Sequence, residues 1–258
     1  MCTTTWCRST GAWLSARTWP RLNVVPRKSK QPKRALVIVA HPDDAEFLCG
    51  GTVAKLCAEG WVVSYLLTTS GDMGSRDGKM SRPALSAIRE KEQVAAANVL
   101  GVKEVVFLRY PDGFYEDTAE ARGRIVREVR RLKPDLVITW DPFRRTFTHR
   151  DHRLTGQSAI DAIYPLARNP LGYAEHFLEG LEVHRVNEVW LGGSADADHW
   201  VDVTDHFETK IKSLRQHKSQ VGQAPIRELK KRLRQRMQET AKDQEFELGE
   251  AFRRITWG

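Results

Sequence analysis

Two short segments of the 258-residue chain combine histidine with carboxylate side chains: His41-Pro-Asp-Asp-Ala-Glu46 and His149-Arg-Asp-His152. Catalytic zinc takes three histidine or carboxylate ligands and leaves a fourth position for water or substrate. His41 and Asp44 lie three residues apart on one turn, and His152 can supply the third ligand. We expect the adjacent Asp43 to point beside the metal and to act as a base, because zinc lowers the pKa of bound water to about 7. The two segments together predict a hydrolytic metal centre.

Each segment also has an ordinary structural interpretation. Asp43 and Asp44 can cap a helix, because Asp at a strand-to-helix turn commonly accepts hydrogen bonds from free backbone N–H groups. His149, taken alone, is more often a surface histidine or a core histidine with a protein partner. The metal interpretation is favoured only if the two segments meet in space, and that depends on the elements that carry them.

The elements around both segments alternate between strands and helices. Four short apolar runs predict strands, at residues 35–40, 61–69, 105–108 and 136–140. The intervening amphipathic or capped segments predict helices, at residues 46–58, 84–100 and 118–132. This alternation predicts an α/β fold, Rossmann-like and doubly wound, with a mostly parallel sheet and helices on both faces.

The winding of such a sheet brings the two segments together. With the strand order 3-2-1-4, strands 1 and 4 are neighbours, and ligands bind at the switch point outside their carboxyl ends. The metal site is therefore predicted at the carboxyl ends of strands 1 and 4, which the two segments follow. A dinucleotide is excluded there, because the turn after strand 1 is bulky and acidic and lacks the Gly-x-Gly-x-x-Gly pattern.

The rest of the chain is less regular. It predicts helices at residues 153–164, 207–219 and 229–242 and short strands at residues 188–191 and 201–203. The last helix contains a run of basic residues, but acidic residues surround this run. That pattern favours a solvated helix face over a contact with nucleic acid or membrane.

The excess of basic over acidic residues lies entirely in the N-terminal segment. The chain holds 41 Lys and Arg against 33 Asp and Glu, but residues 1–34 contain eight of the basic residues and none of the acidic ones. Residues 35–258 are therefore formally neutral, and we expect no nucleic-acid partner. We interpret residues 1–34 as a disordered basic tail and residues 35–258 as one domain. The acid-poor, Arg- and Ser-rich tail leaves a transit peptide or an over-extended translation start as alternatives.

Cysteine content and hydropathy bear on the compartment. No apolar run approaches the ~20 residues that span a bilayer. Four cysteines in a chain of this length do not form a disulfide framework, which favours a reducing compartment. We therefore expect a cytoplasmic protein without a membrane span, unless the tail directs it to an organelle.

Several motifs resemble those of one family, the LmbE-like or PIG-L family of zinc-dependent N-acetylglucosamine deacetylases. Residues 40–46 resemble its first signature, and residues 149–152 resemble its His-x-Asp-His signature, with Arg150 where many members carry Pro. The similarity runs from residue 35 to about residue 220. It includes the stretches at residues 88–92 and 110–113.

The resemblance implies a role for each motif residue. The implied metal ligands are His41, Asp44 and His152. Asp43 is the implied general base. His149, in its protonated form, would stabilise the oxyanion or protonate the leaving amine, and Asp151 would orient that imidazole.

The resemblance also implies that Arg89 and Asp112 contact sugar hydroxyls. Without it, both residues have ordinary interpretations. Arg89 could pair with Glu92, three residues on, on a solvated helix face. Asp112 could form a turn before Gly113.

The expected activity is metal-dependent removal of an N-acetyl group from a small N-acetylglucosamine-containing substrate, either a glycoside or a chitobiose-like sugar. Zn²⁺ is the expected cofactor, with Fe²⁺ as an alternative, since imidazole and carboxylate ligands accept both metals. Two other functions remain open at this point: an amidase that cleaves a thiol-sugar conjugate with the same site, and a non-catalytic sugar-binding protein. Family members are often homo-oligomers, so a homo-oligomer is expected as an alternative to a monomer.

Overall fold

The computed structural model describes residues 31–145, 149–221 and 225–257. Most of the segment interpreted as a tail, residues 1–30, lies outside this range, so its disorder stays a prediction. The first strand begins at Arg34, one residue before the predicted strand. None of the helices within the described range has the length and apolar character needed to cross a membrane.

The described residues contain seven strands and six α-helices. The strands are β1 Arg34–Val39, β2 Val62–Thr69, β3 Glu104–Tyr110, β4 Leu136–Trp140, β5 Glu188–Gly192, β6 His199–Asp202 and β7 Gly249–Thr256. The helices are α1 Asp44–Ala58, α2 Arg82–Leu100, α3 Ala119–Leu132, α4 Arg150–Asp161, α5 Phe207–Leu214 and α6 Ile226–Thr240. Short helical turns lie at Ala162–Ala167, Ala174–Glu179 and Thr204–His206.

The strands form one sheet in the order β3-β2-β1-β4-β5-β7-β6. Strands β1 to β5 pair in parallel, and β7 runs antiparallel between β5 and β6. The predicted order of the first four strands and the adjacency of β1 and β4 are confirmed. The sequence prediction missed β7, because this strand carries charged residues such as Glu250, Arg253 and Arg254 in place of an apolar run.

Helices cover both faces of the sheet, as predicted for a doubly wound fold. Successive residues of β1 point to opposite faces of the sheet. Both faces are buried, as expected for a parallel strand covered by helices on both sides. Val37 belongs to an apolar cluster that includes residues of α1, α2, α5 and α6, whereas Leu36 and Ile38 belong to a second cluster with residues of α3 and α4. The core therefore consists of two apolar layers, one on each side of the sheet.

Several helix boundaries differ from the sequence prediction. α2 begins at Arg82, because Ser81 accepts a hydrogen bond from the Ala84 N–H as its N-cap. It ends as predicted at Leu100, and the following Gly101 has a φ of 86°, which suits glycine. α4 begins at Arg150, three residues earlier than predicted. α5 ends at Leu214 and not at residue 219, so the following residues form turns.

Helix α1 is interrupted inside its length. Cys49 has φ −144° and ψ 23°, which breaks the helical ladder. The freed N–H groups of Gly51 and Thr52 donate to the Glu250 carboxylate at 3.0 and 2.7 Å. Glu250 also forms a buried ion pair of 2.6 Å with Lys210 of α5. The second half of α1 is thus capped by a residue of the last strand.

Candidate metal centre and catalytic cavity

The turn between β1 and α1 carries the first predicted ligands. Asp44 is the first residue of α1, and its Oδ2 accepts hydrogen bonds from the backbone N–H groups of His41, at 2.8 Å, and Ala40, at 3.2 Å. Both bonds come from the chain that leaves β1, so the carboxylate is fixed relative to the end of the strand. His41 and Asp44 are 7% and 6% exposed. The turn therefore holds two ligand groups in a buried, rigid position.

The three predicted metal ligands lie close together. His41 Nδ1 lies 3.1 Å from His152 Nε2 and 3.4 Å from Asp44 Oδ2, and His152 Nε2 lies 3.1 Å from Asp44 Oδ1. A tetrahedral zinc ion with ligands at about 2.1 Å separates them by about 3.4 Å. Two imidazole nitrogens and one carboxylate at this spacing fit a divalent cation. The donor set thus meets the chemical requirement of the predicted metal.

Trp140, the last residue of β4, supports two of these ligands. Its Nε1–H donates to Asp44 Oδ2 at 3.3 Å, and its ring stacks on the His152 imidazole with centroids 4.3 Å apart and planes 4° from parallel. The sequence analysis used Trp140 only as the end of a strand. Its position directly before the loop to the second segment is the signal that could have identified it.

The second nitrogen of His41 faces two carboxylates. Nε2 lies 3.0 Å from Asp112 Oδ1 and 3.3 Å from Asp151 Oδ2. Carboxylates in this position fix the tautomer and ring orientation of a metal-binding histidine. Burial would lower the pKa of His41, but Asp44, Asp112 and Asp151 raise it to about 12. The pocket thus carries negative charge that a cation would offset.

The Asp151 carboxylate accepts the Gly113 N–H at 2.6 Å and lies 3.3 Å from His41 Nε2. Its orientation of the His149 imidazole, which the resemblance implies, stays a prediction. The Asp151 backbone N–H donates to His149 Nδ1 at 3.2 Å. Asp151 is in the first turn of α4 and is fully buried.

His149 precedes α4 and stands edge-on to His41, with ring centroids 4.8 Å apart. Burial and the positive charges of His41 and His152 lower the pKa of His149. This differs from the protonated His149 of the sequence prediction. Because Nδ1 accepts the Asp151 N–H, the neutral ring carries its proton on Nε2. His149 is therefore a hydrogen-bond donor at this site.

Asp43 lies beside the three ligands in an unusual backbone conformation, with φ 100° and ψ −24°. It occupies the N-cap position of α1, but its side chain makes no capping hydrogen bond to any described residue. Burial and the charge of Asp44 raise the pKa of Asp43 to about 7, although Arg89 opposes this effect. The capping alternative is excluded, and the carboxylate is free to accept a proton.

Arg89 is 4% exposed and contacts the turn between β1 and α1. Its guanidinium donates to the carbonyl oxygens of Pro42 at 2.5 Å and Gly71 at 2.8 Å and lies 3.5 Å from Asp43 Oδ2. Glu92, the alternative partner, bonds Ser219 instead. Arg89 is therefore not part of a solvated helix face.

These side chains line one cavity of about 400 Å³ at the carboxyl ends of the strands. Seven of the eight predicted site residues line it, and Asp151 lies behind His41. The predicted lining residues are His41, Asp43, Asp44, Arg89, Asp112, His149 and His152. Among the described residues, Met73, Gly74, Gly113 and Gln220 also line the cavity. No pattern in the sequence pointed to Gln220, which bonds the Gly74 carbonyl across the rim.

Comparisons with known proteins agree with this architecture. The model of the PIG-L family, described as GlcNAc-PI de-N-acetylase, matches residues 36–163. Diacetylchitobiose deacetylase of Thermococcus kodakarensis is 35% identical over 188 residues, which cover 73% of this chain and 70% of that protein. A probable N-acetyl-alpha-D-glucosaminyl L-malate deacetylase of Bacillus anthracis is 30% identical over 223 residues, which cover 82% of this chain and 91% of that protein.

A solved structure shows the same fold at useful sequence identity. The N,N'-diacetylchitobiose deacetylase from Pyrococcus horikoshii superposes with a TM-score of 0.82 and 32% identity, covering 88% of this chain and 85% of that one. The region that matches the family model, residues 36–163, includes both histidine and carboxylate segments. The chain belongs to the PIG-L, or LmbE-like, family.

Proposed function

We propose that this chain is a metal-dependent N-deacetylase that releases acetate from an N-acetylglucosamine-containing small molecule. The observation that carries the proposal is the convergence of His41, Asp44 and His152 within 3.4 Å of one another, with the Asp43 carboxylate beside them. The relatives named above support the substrate class, because their names specify N-acetylated amino sugars.

His41, Asp44 and His152 would hold the metal. Zn²⁺ bound there would polarise the acetamide carbonyl and lower the pKa of a bound water to about 7. We assign zinc on the ligand types and their spacing, with Fe²⁺ as the alternative that the same ligands accept. Asp112 and Asp151 hold the His41 ring through its Nε2–H, which would leave Nδ1 for a bound cation.

Asp43 moves the proton in the proposed reaction. Its carboxylate takes a proton from the attacking water, and a pKa near 7 suits both the gain and the later loss of that proton. His149 donates a hydrogen bond from Nε2 to the oxygen on which negative charge develops. As the C–N bond breaks, Asp43 passes its proton to the leaving nitrogen, which yields acetate and a free amine.

The test is a mass-spectrometric screen for acetate release, with metal content measured on the same sample. The panel contains N-acetylglucosamine, diacetylchitobiose, the malate glycoside and the inositol glycoside of N-acetylglucosamine. We expect turnover of at least one, and a loss of about 10²- to 10⁴-fold in Asp43→Asn, which keeps the ligand set. Release of acetate from no member by metal-loaded protein would refute the proposal.

Two features of the whole protein stay predictions. Cytoplasmic location and self-association are both expected from the sequence or the family, and neither follows from a single chain. Size-exclusion chromatography with light scattering measures the oligomeric state directly.

A further inference from the structure

A series of buried polar side chains, linked by hydrogen bonds, leads to the backbone of Asp43. Gln93 Oε1 accepts the Asp43 backbone N–H at 2.9 Å, and Gln93 Nε2 donates to Glu46 Oε1 at 2.9 Å. Glu46 Oε2 in turn lies 3.1 Å from His217 Nε2. Gln93, Glu46 and His217 are each 0% exposed. They come from α2, α1 and the turn after α5.

The two partners fix the orientation of the Gln93 amide. A backbone N–H can only donate, so the oxygen of Gln93 must face Asp43. A carboxylate accepts hydrogen bonds, so the amide NH₂ must face Glu46. Rotating the amide would place donor against donor and acceptor against acceptor in a site without solvent. Glu46, held by His217 on its other oxygen, thus keeps the Gln93 oxygen directed at Asp43.

Asp43 needs such support, because its backbone is unfavourable for a residue with a side chain. A positive φ in a non-glycine residue persists only when the surrounding structure enforces it. The N–H of Asp43 also precedes helix α1, where no carbonyl of the helix is available to it. Gln93 supplies the acceptor, and its fixed position defines where the turn lies.

We propose that Gln93 is a positioning residue for Asp43, and that Glu46 and His217 act through Gln93 to hold the left-handed turn. The inference rests on the proposed function, since the position of Asp43 matters only if its carboxylate takes part in the reaction. Gln93 is absent from the described residues that line the cavity, so it acts on Asp43 and not on the substrate.

Loss of Gln93 should affect turnover and not substrate or metal binding. The ligands His41 and Asp44 are anchored by their own hydrogen bonds to the end of β1. A displacement of about 1 Å at a reacting group can cost about 100-fold in rate. We therefore expect Gln93→Met, which keeps the volume, to lower kcat by about 100-fold while KM and metal content stay within twofold of the wild type.

A swap variant separates positioning from a loss of packing. The swap combines Gln93→Glu with Glu46→Gln. The new carboxylate at position 93 accepts the Asp43 N–H, and the new amide at position 46 donates to that carboxylate. The swap also keeps the total charge, and the oxygen of Gln at 46 can still accept from His217. We expect it to recover at least tenfold in kcat over Gln93→Met. Gln238→Met, at an exposed glutamine of α6, is the matched control and should behave as wild type.

Amide hydrogen exchange provides a measurement that needs no enzymatic activity. Without its acceptor, the Asp43 amide should exchange at least tenfold faster in Gln93→Met, whereas the Val37 amide in β1 should not change. If wild-type protein releases no acetate from any substrate, the exchange result still tests the hydrogen bond, so failure of the proposed function is recognised separately. Unchanged Asp43 exchange would overturn the inference. So would a kcat of Gln93→Met within threefold of wild type, or a swap no better than Gln93→Met.

Discussion

Replacing Asp43 with alanine and with glycine separates its chemistry from its backbone strain. Both variants remove the carboxylate, so both should lose about 10²- to 10⁴-fold in kcat. They differ only in the presence of a Cβ at a position with φ 100°. The comparison therefore measures what the left-handed turn costs the folded protein.

The expected difference follows from two opposing effects. A residue with a Cβ pays about 1–2 kcal/mol in the left-handed region. Glycine avoids that cost but loses about 0.4–1 kcal/mol through the greater freedom of its unfolded chain. Asp43→Gly should thus be more stable than Asp43→Ala by about 0.5–1 kcal/mol, or about 1–4 °C in Tm for a domain of this size.

Urea and thermal unfolding, followed by circular dichroism on metal-loaded samples, measure this difference. Lys231, exposed within α6, provides the matched control, because Lys231→Gly should be less stable than Lys231→Ala by about 1 kcal/mol. The glycine variant should therefore be the more stable one at position 43, and the alanine variant should be the more stable one at position 231. Asp43→Ala as stable as Asp43→Gly would show that the turn is not strained in solution.

Other variants test the surroundings of the site. Trp140→Phe should weaken metal binding about 10- to 100-fold, because it removes the N–H that orients Asp44; titration against a metal-sensitive dye measures this, and unchanged affinity would contradict the assigned role. Glu250→Ala leaves the buried Lys210 ammonium without its carboxylate and should lower the free energy of unfolding by about 3–5 kcal/mol. Urea unfolding checks it, and a loss under 1 kcal/mol would argue against a tight pair. Removing the metal with a chelator should lower stability by about 4 kcal/mol relative to protein in metal at a thousand times its Kd. A Tm that does not respond to chelator and is not restored by Zn²⁺ would contradict the proposed centre.

The meeting of the three proposed ligand residues could be predicted because it depends on local sequence and on one topological rule. His41, Asp44 and His152 follow neighbouring parallel strands, and the carboxyl ends of those strands meet at the switch point. The order of the first four strands followed from the alternation of apolar runs and helices. Neither inference needed the details of side-chain packing.

The contacts around the ligands could not be predicted, because they join residues that are distant in sequence. Asp151 turns to His41, 110 residues away, and Gln93 reaches Asp43 across 50 residues. Strand β7 was missed because Glu250 is buried with charged and backbone partners, which a hydropathy pattern does not show. Long-range pairing of polar groups determined each of these outcomes.

The position of β7 has a consequence for the order in which the protein can fold. Within the described residues β6 pairs only with β7, and β7 inserts between β5 and β6. During synthesis, β1 to β5 can pair as soon as residue 192 has left the ribosome, but the edge of β5 stays open until residues 249–256 arrive. The same late strand brings Glu250 to Gly51, 199 residues earlier in the chain. Such long-range closure slows folding and leaves an unpaired edge exposed to other chains. Helix α1, which begins at Asp44, is thus completed only after residues 249–256 have been made.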